Sequence, residues 1–214
     1  ALIPCVTSSI VAYSIYTGVY GFAHVFTFPD VMLTDARELV IYLALGAMCA
    51  LGGTLYVKTF FGIRNRFFRR LDLPTWLIPG IGGALVGVLA IADLRVLGGG
   101  FGVIQSVIDG GIGIQAMLGL VVLKILATSC TVGSGGSGGV FGPSLFIGAM
   151  LGGIVGAAGH ALFPHIVQVP AAYVVVGMGS FLAGVANTPL AALIIVTEMT
   201  GSYHLLPALM LVSA

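Results

Sequence analysis

The part of the sequence best suited to chemistry is a glycine-rich stretch at residues 131–143, Thr-Val-Gly-Ser-Gly-Gly-Ser-Gly-Gly-Val-Phe-Gly-Pro. It leads into an apolar helix that is predicted to begin near Val140. Pro143 then falls in the first turn, where the N–H group that proline lacks would have no intrahelical partner. Free N–H groups at such a helix end, together with the helix macrodipole, attract negative charge. The stretch is therefore predicted to bind an anion without a basic side chain, with the Ser134 and Ser137 hydroxyls as additional donors.

The glycine-rich stretch also partly matches three ligand-binding motifs. Residues 133–138 match the Gly-x-Gly-x-x-Gly dinucleotide fingerprint, but that fingerprint requires a preceding strand, and here the flanks are apolar segments of membrane-spanning length. Residues 131–133 are similar to the start of a potassium-channel filter, but Ser134 stands where an aromatic residue belongs. A phosphate-binding P-loop is excluded because no Gly-Lys-Ser/Thr follows. A tight interhelical turn that binds no ligand stays open as an alternative.

The composition indicates a membrane protein. Only 7% of the residues are Asp, Glu, Lys or Arg, 58% are apolar without counting glycine, and the mean hydropathy is +1.15. Eight cations and seven anions are too few to cover the surface of a soluble protein of 214 residues. The net charge of +1 offers no basic surface for nucleic acid. Three isolated cysteines are predicted to be packing residues, without a disulfide or a metal: Cys5, Cys49 and Cys130.

Apolar segments of spanning or near-spanning length recur along the chain, which predicts an all-α, polytopic transmembrane fold with eight or nine broken and tilted helices. The second segment is too long to cross the membrane perpendicularly, so it is predicted to tilt or to leave the bilayer. The short, glycine-flanked fourth segment is predicted to be a half-helix. The segments are Leu2–Phe26, Glu38 through Tyr56 towards Phe68, Leu73–Ile91, Phe101–Ile108, Ile114–Thr131, Val140–Phe163, Ala171–Ala186, Pro189–Met199 and Leu205–Ala214.

Glycine is unusually frequent, with 33 residues in the chain. Most of them are predicted to let helices approach closely in small-xxx-small patterns, as at Gly148 and Gly152 and at Gly83 and Gly87. The others fall at helix breaks, where irregular backbone at membrane depth must be buried in protein or line an aqueous path.

The placement of charge predicts an orientation. A basic cluster follows the second segment, and this end of the segment is predicted to be cytoplasmic because basic residues are retained on that side. The preceding loop is acidic, as expected for the opposite side. The basic residues are Lys58, Arg64, Arg66, Arg69 and Arg70, and the acidic ones are Asp30, Asp35 and Glu38.

Several single residues have both a structural and a functional interpretation. Lys124 either adds positive potential to an anion pathway or extends to the membrane interface. Glu198 is predicted to hydrogen-bond at a helix end, although an acid within an apolar segment is also a functional candidate. Asp109 is predicted to mark a turn, and Trp76 an interfacial anchor. The histidines are predicted to form interfacial hydrogen bonds and no metal site: His24, His160, His165 and His204.

With these motifs, the sequence resembles the second half of the CLC family of chloride channels and proton/chloride antiporters. The family's Gly-x-Phe-x-Pro motif is matched at residues 139–143. Residues 184–191 and 196–203 match its Asn-x-Pro-Leu turn and the Glu-Met-Thr-x-x-Tyr stretch that follows. Residues 98–101 resemble its glycine-rich entry to a half-helix. The matches are in the family's order along the chain and cover nearly all of it.

The resemblance implies transport of chloride, or of a similar small anion, through a dehydrated site formed by helix N-termini. By the same resemblance, the anion is coordinated by backbone N–H groups of Gly138, Gly139, Val140, Phe141 and Gly142, chiefly those of Val140 and Phe141. No cofactor other than bound chloride, no metal and no catalytic residue are implied. The expected partners are membrane lipid, protons in antiporter members, and a second copy in a homodimer through segments 2–26, 190–196 and 205–211.

The resemblance also implies what lies elsewhere. The chain starts without methionine and ends in an apolar run, so residues 1–214 are expected to be a single transmembrane domain, a fragment of a longer CLC-type domain truncated at both ends. The family's gating and proton-transfer glutamates and its coordinating serine and tyrosine are expected outside the chain. Tyr203 is not that tyrosine, because its motif places it in an earlier loop. A voltage-gated-type channel and an antiporter, in a cell membrane, therefore stay open. So does a secondary transporter of another fold, whereas an enzyme is not expected because no nucleophile–base pair occurs.

Overall fold

The computed structural model describes residues 2–22, 24–29 and 37–213, and every regular element in these ranges is helical, as predicted. Asp30 and Asp35, on which the orientation prediction partly rests, lie outside the described residues, as does Ala23 of the first predicted segment. Three short 3₁₀ turns, Phe68–Arg70, Leu94–Val96 and Tyr203–Leu205, connect the longer helices. The α-helices are α1 Leu2–Tyr20, α2 Glu38–Arg66, α3 Ile78–Ala92, α4 Phe101–Ile108, α5 Ile114–Gly133, α6 Phe141–Leu162, α7 Pro170–Ala186, α8 Pro189–Thr200 and α9 Leu206–Ser213.

Two predicted boundaries were wrong by several residues. The first helix ends at Tyr20 and not at Phe26, because Gly21 adopts a left-handed backbone with φ of +79° that breaks the helix. The third helix begins at Ile78 and not at Leu73, because the backbone first makes a turn in which the N–H of Leu77 donates to the carbonyl of Pro74 at 2.9 Å. The other helices begin and end within a few residues of the predicted positions.

The centre of the protein is α7, which is buried at every position from Ala171 to Ala183. A helix that is apolar and buried on all sides belongs in a core and not at a surface. Its main neighbour is α6, and glycines on both helices bring the two backbones together. A Cβ atom on Gly148 would touch the carbonyl of Gly177, and one on Gly152 would lie 2.9 Å from the Cα of Val174. The small-xxx-small prediction is thus confirmed for this pair of glycines.

The second pair of glycines behaves differently. No atom lies within 4 Å of the positions that Cβ atoms on Gly83 and Gly87 would occupy. The prediction that these two glycines permit close helix contact within this chain was therefore wrong. The spacing of glycines along a helix does not reveal whether another helix faces them.

The outer surface of the helices is apolar. Leu51, Val88 and Ile91 are 73%, 63% and 85% exposed, respectively. Among the described residues, three stretches of helix are long and apolar enough to cross a membrane: 38–70, 114–133 and 141–162. Apolar side chains on the outside and close glycine contacts inside are the arrangement expected when lipid is the solvent. The chain is an integral, multi-pass membrane protein.

Candidate anion-binding site

The glycine-rich stretch lies between two helix ends, as predicted. Helix α5 ends at Gly133, a turn follows in which Gly135 has φ of +86°, and α6 starts at Phe141. The first backbone bond of α6 joins the N–H of Ser144 to the carbonyl of Val140 at 3.0 Å. The N–H groups of Val140, Phe141 and Gly142 have no acceptor in the described part of the chain. The start of α6 therefore presents free donors and the positive end of a helix dipole.

A second helix N-terminus lies beside the first. Helix α4 follows Gly98-Gly99-Gly100, and Gly100 has φ of +74°. At Gly100 a Cβ atom would also collide with the ring of Phe146 on α6, so glycine is required there for both conformation and space. A Cβ atom on Gly142 would be 3.8 Å from the Cα of Gly99. The glycine-rich entries to α4 and α6 are thus in close contact, although about forty residues separate them in the sequence.

A cavity of about 390 Å³ opens between these two entries. Helix α5 forms one wall with residues spaced three and four apart on a single face, and α3 contributes Val86. Three of the five predicted site residues belong to the lining. The complete lining is Val86, Val96, Leu97, Gly98, Gly99, Lys124, Ala127, Thr128, Thr131, Val132, Gly138, Gly139, Gly142 and Pro143.

Val140 and Phe141, the two residues expected to contribute most, do not line this cavity. Their side chains are 46% and 39% exposed at the start of α6. The structure therefore divides the predicted site. Gly138, Gly139 and Gly142 line the cavity, whereas Val140 and Phe141 lie outside its lining at the start of α6.

Lys124 is the charged side chain of the cavity. It is 2% exposed, and its ammonium group donates to the carbonyls of Val96 and Gly98 at 2.8 and 2.7 Å. The same nitrogen lies 4.7 Å from the centre of the Phe146 ring, which adds a cation–π contact. Lys124 therefore does not extend to the membrane interface. It places an ammonium group at the cavity between the two helix N-termini and fixes the loop that leads into α4.

The predicted hydroxyl donors are not part of the cavity. Ser134 is buried, and its hydroxyl donates to the carbonyl of Thr131 at 2.9 Å. It packs so closely against Gly82 of α3 that a Cβ atom on this glycine would collide with it. Ser137 is exposed, and neither serine lines the cavity. Ser134 closes the end of α5 through this bond, and the role of the two serines as anion donors stays a prediction.

Thr128 is a candidate donor that sequence reasoning missed. It lines the cavity, is 6% exposed, and its hydroxyl has no partner among the described residues. Thr131, one turn further along α5, donates its hydroxyl to the carbonyl of Ala127 at 2.9 Å. The signal that could have identified this wall is the spacing of Lys124, Thr128 and Thr131 on one face of a helix.

The remaining charged and polar candidates have structural partners. Glu198 accepts a hydrogen bond from the Tyr203 hydroxyl at 3.1 Å, as predicted for a helix end, and this bond raises the pKa of Tyr203. The Asp109 carboxylate accepts from the Gln105 amide at 2.9 Å at the turn after α4. The guanidinium of Arg95 donates to Asp93 at 2.8 Å and holds the pKa of that carboxyl below its usual range.

Histidines and cysteines form no centre of their own. The ring nitrogens of His24 and His160 donate to backbone carbonyls at 3.1 and 2.7 Å. Within the ranges that the structure describes, no group of His, Cys, Asp or Glu side chains is arranged to hold a metal ion. Cys49 and Cys130 are buried, and all three cysteines are free.

Comparison with known proteins identifies the family. The sequence model described as "Voltage gated chloride channel" matches residues 1–214, the entire chain. The chain belongs to the CLC family. A CLC relative from Ralstonia nicotianae, described as ClcB-like, is 36% identical over 208 residues, which cover 97% of this chain and 48% of the relative. The H⁺/Cl⁻ exchange transporter ClcA of Vibrio cholerae is 30% identical over 97% of this chain and 45% of its own length.

Solved CLC structures have the same fold. A slow cyanobacterial Cl⁻/H⁺ antiporter superimposes with a TM-score of 0.86 and 23% identity over 95% of this chain and 48% of the antiporter chain. A CLC-type fluoride/proton antiporter superimposes with a TM-score of 0.74 and 23% identity over 99% of this chain and 51% of the antiporter chain. The alternative of a secondary transporter with another fold was therefore wrong. The chain spans about half the length of the CLC relatives that it matches.

Proposed function

We propose that this chain forms one half of the membrane domain of a CLC-type protein that moves chloride, or a similar small anion, across a membrane. The observation that carries the proposal is the meeting of two glycine-bounded helix N-termini at a cavity that contains the buried ammonium group of Lys124. Membership of the CLC family supports it, as do relatives named as H⁺/Cl⁻ exchange transporters. Bound chloride is the only ligand that this function requires, and no cofactor or covalent chemistry is involved.

The binding chemistry follows from the donors. An anion that enters this region loses water and gains backbone N–H groups and partial positive charge from the ends of α4 and α6. Neutral donors hold an anion less tightly than a direct ion pair would. Lys124 adds positive potential, but two carbonyls already occupy its ammonium group. Moderate binding of this kind suits conduction, because the ion must also leave.

The anion is proposed to be coordinated by the backbone of residues 138–142, chiefly by the N–H groups of Val140 and Phe141. The absence of an acceptor for these N–H groups in the described part of the chain supports this assignment. Gly138, Gly139 and Gly142 permit close approach to the backbone, and the Thr128 hydroxyl is a further donor within the cavity. The remaining ligands are proposed to come from outside this chain.

The protein is proposed to act as a homodimer through segments 2–26, 190–196 and 205–211. Large apolar side chains at these places are exposed, including Val19 at 70%, Leu190 at 72%, Ile194 at 67% and Met210 at 59%. Helix α1 exposes apolar side chains along most of its length. A second copy would cover these surfaces with matching apolar faces, as isologous interfaces do.

Transport by the full-length protein tests the proposal. The protein is reconstituted in liposomes, and chloride efflux and external pH are recorded together. Chloride efflux coupled to proton uptake against the proton gradient would establish an antiporter, and efflux without linked proton movement would establish a channel. If neither chloride nor nitrate nor fluoride leaves the vesicles, the proposal fails and residues 131–143 are a structural turn.

A further inference from the structure

The basic end of α2 has a feature that anion transport does not explain. Five of the eight Lys and Arg residues of the chain lie between positions 58 and 70. All five are exposed, and none makes an ion pair or a side-chain hydrogen bond with any described residue. Asp72, the acid nearest in sequence, also has no ion-pair partner there. These charges are therefore available to a ligand from outside the chain.

Three of the five cations share one open cavity. Lys58 and Arg66 lie two turns apart on the same face of α2, and Arg70 follows on the next 3₁₀ turn. With Phe61, Gly62 and Asn65 they line a cavity of about 450 Å³. No atom lies within 4 Å of where a Cβ on Gly62 would be, so this glycine leaves space between the basic side chains.

The cavity lies at the depth of lipid headgroups. Helix α2 has 29 residues. At about 1.5 Å per residue it is roughly 43 Å long, the thickness of a bilayer with both headgroup regions. With Glu38 at one side of the bilayer, Arg66 at the end of α2 and Arg70 after it lie in the opposite headgroup region. Lys58 lies about 12 Å before the end of the helix, from where its long side chain can extend towards the headgroups. Lys58, Arg66 and Arg70 thus line a cavity where phosphate groups of lipids are concentrated.

We propose that Lys58, Arg66 and Arg70 bind the phosphate of an anionic phospholipid. Arginine guanidinium groups match phosphate with paired hydrogen bonds, and a lysine adds a point charge. The Asn65 amide is a further donor, and Phe61, which is 48% exposed, offers an apolar surface to the acyl chain. A lipid fits this site better than free phosphate, because the cavity combines the basic groups with an apolar surface at the membrane boundary. The proposal depends on the membrane location of the protein and not on which ion it transports.

Arg64 and Arg69 provide a matched control. They lie on the same stretch of chain and are equally unpaired, but neither lines the cavity. Arg64 instead packs towards α5, where a Cβ on Gly133 would lie 3.6 Å from the Cβ of Arg64. Two double variants therefore remove the same charge from the same end of the helix: Arg66→Gln/Arg70→Gln and Arg64→Gln/Arg69→Gln. Only the first variant removes this charge from the cavity.

The experiment measures phospholipid binding to the full-length protein in neutral detergent by native mass spectrometry. Phosphatidylglycerol and phosphatidylcholine are titrated separately, each with and without excess inorganic phosphate. The wild type is expected to prefer phosphatidylglycerol and to retain it when inorganic phosphate is added. Arg66→Gln/Arg70→Gln is expected to weaken phosphatidylglycerol binding by about tenfold or more, since it removes two charge-assisted contacts. Arg64→Gln/Arg69→Gln is expected to change it by about twofold or less.

Three results from these titrations would overturn the proposal. Equal loss in both double variants would mean that diffuse surface charge attracts the lipid. Equal binding of phosphatidylcholine would mean that the headgroup charge is not recognised. Displacement by inorganic phosphate would mean that the site takes free phosphate.

If the glutamine variant of the cavity does not fold, Arg66→Lys/Arg70→Lys replaces it. Binding several-fold weaker than wild type is then expected, because lysine lacks the paired donors, and wild-type binding would overturn the proposal.

Discussion

Lys124 offers the sharpest test of how this protein attracts an anion. Lys124 lines the cavity, and a sphere with the cavity's volume of 390 Å³ is about 9 Å across, so we take about 9 Å as the separation between its ammonium group and an anion held in the cavity. At an effective dielectric constant of about 20, two unit charges about 9 Å apart attract each other by about 1.8 kcal/mol. Lys124→Met, which keeps most of the length of the side chain and removes its charge, should therefore weaken chloride binding by about twentyfold.

The assay is isothermal titration of chloride into the full-length protein, with size-exclusion chromatography to confirm folding. Lys124→Arg retains the charge and should stay within about threefold of wild type. Arg69→Gln removes an exposed, unpaired cation outside the cavity and should change chloride affinity by about twofold or less, because solvent screens it.

Two results would refute this role of Lys124. If Lys124→Met binds chloride within twofold of wild type, the carbonyls of Val96 and Gly98 must cancel the effect of the ammonium group on the anion. Equal loss in Lys124→Met and Lys124→Arg would show that the lysine acts by holding the α4 entry loop in place and not by its charge.

Three further predictions concern packing and assembly. Gly142→Leu should reduce chloride flux by about tenfold or more with little loss of folded protein, because its side chain extends towards the glycine entry of α4 and fills the cavity. Gly152→Ala should lower the thermal midpoint by several degrees, because a Cβ there lies within 2.9 Å of the backbone of α7. Gly83→Ala, with open space at the same position, should leave the midpoint unchanged or raise it. Ile194→Cys, in a variant that also lacks the exposed Cys5, should give a disulfide-linked dimer on a non-reducing gel, because Ile194 lies in the proposed interface. Ile91→Cys, which lies outside the proposed interface, should not. A monomer in both cases would count against the proposed interface.

Much of the architecture follows from local properties of the sequence. A helix in lipid must satisfy its own backbone, so apolar runs of sufficient length have to be helical wherever they pack. Proline and glycine act through their own backbone conformation. Pro143 therefore lies within the first turn of α6, and the glycines before Phe101 separate α4 from the preceding turn. The position of the predicted anion-binding loop could be recognised for the same reason.

The boundaries that were predicted wrongly are those that a hydropathy pattern does not mark. The sequence after Tyr20 remains apolar, but the described residues 21, 22 and 24–26 are not helical, and the N–H of Phe26 donates to the carbonyl of Met199 at 3.0 Å. An apolar run predicts that a segment is buried or contacts lipid. It cannot distinguish a helix from a loop whose N–H groups are hydrogen-bonded to a distant part of the chain.

Composition and local motifs were enough to predict a helical membrane protein in which residues 131–143 form a glycine-rich entry to a helix. They could not predict what surrounds that entry. The fold brings Gly99 beside Gly142, directs Lys124 to the carbonyls of Val96 and Gly98, and turns Ser134 away from the cavity towards Gly82. Backbone propensities depend on neighbours a few residues away, whereas a binding cavity depends on which helix faces meet, and that is fixed by packing among segments far apart in the chain.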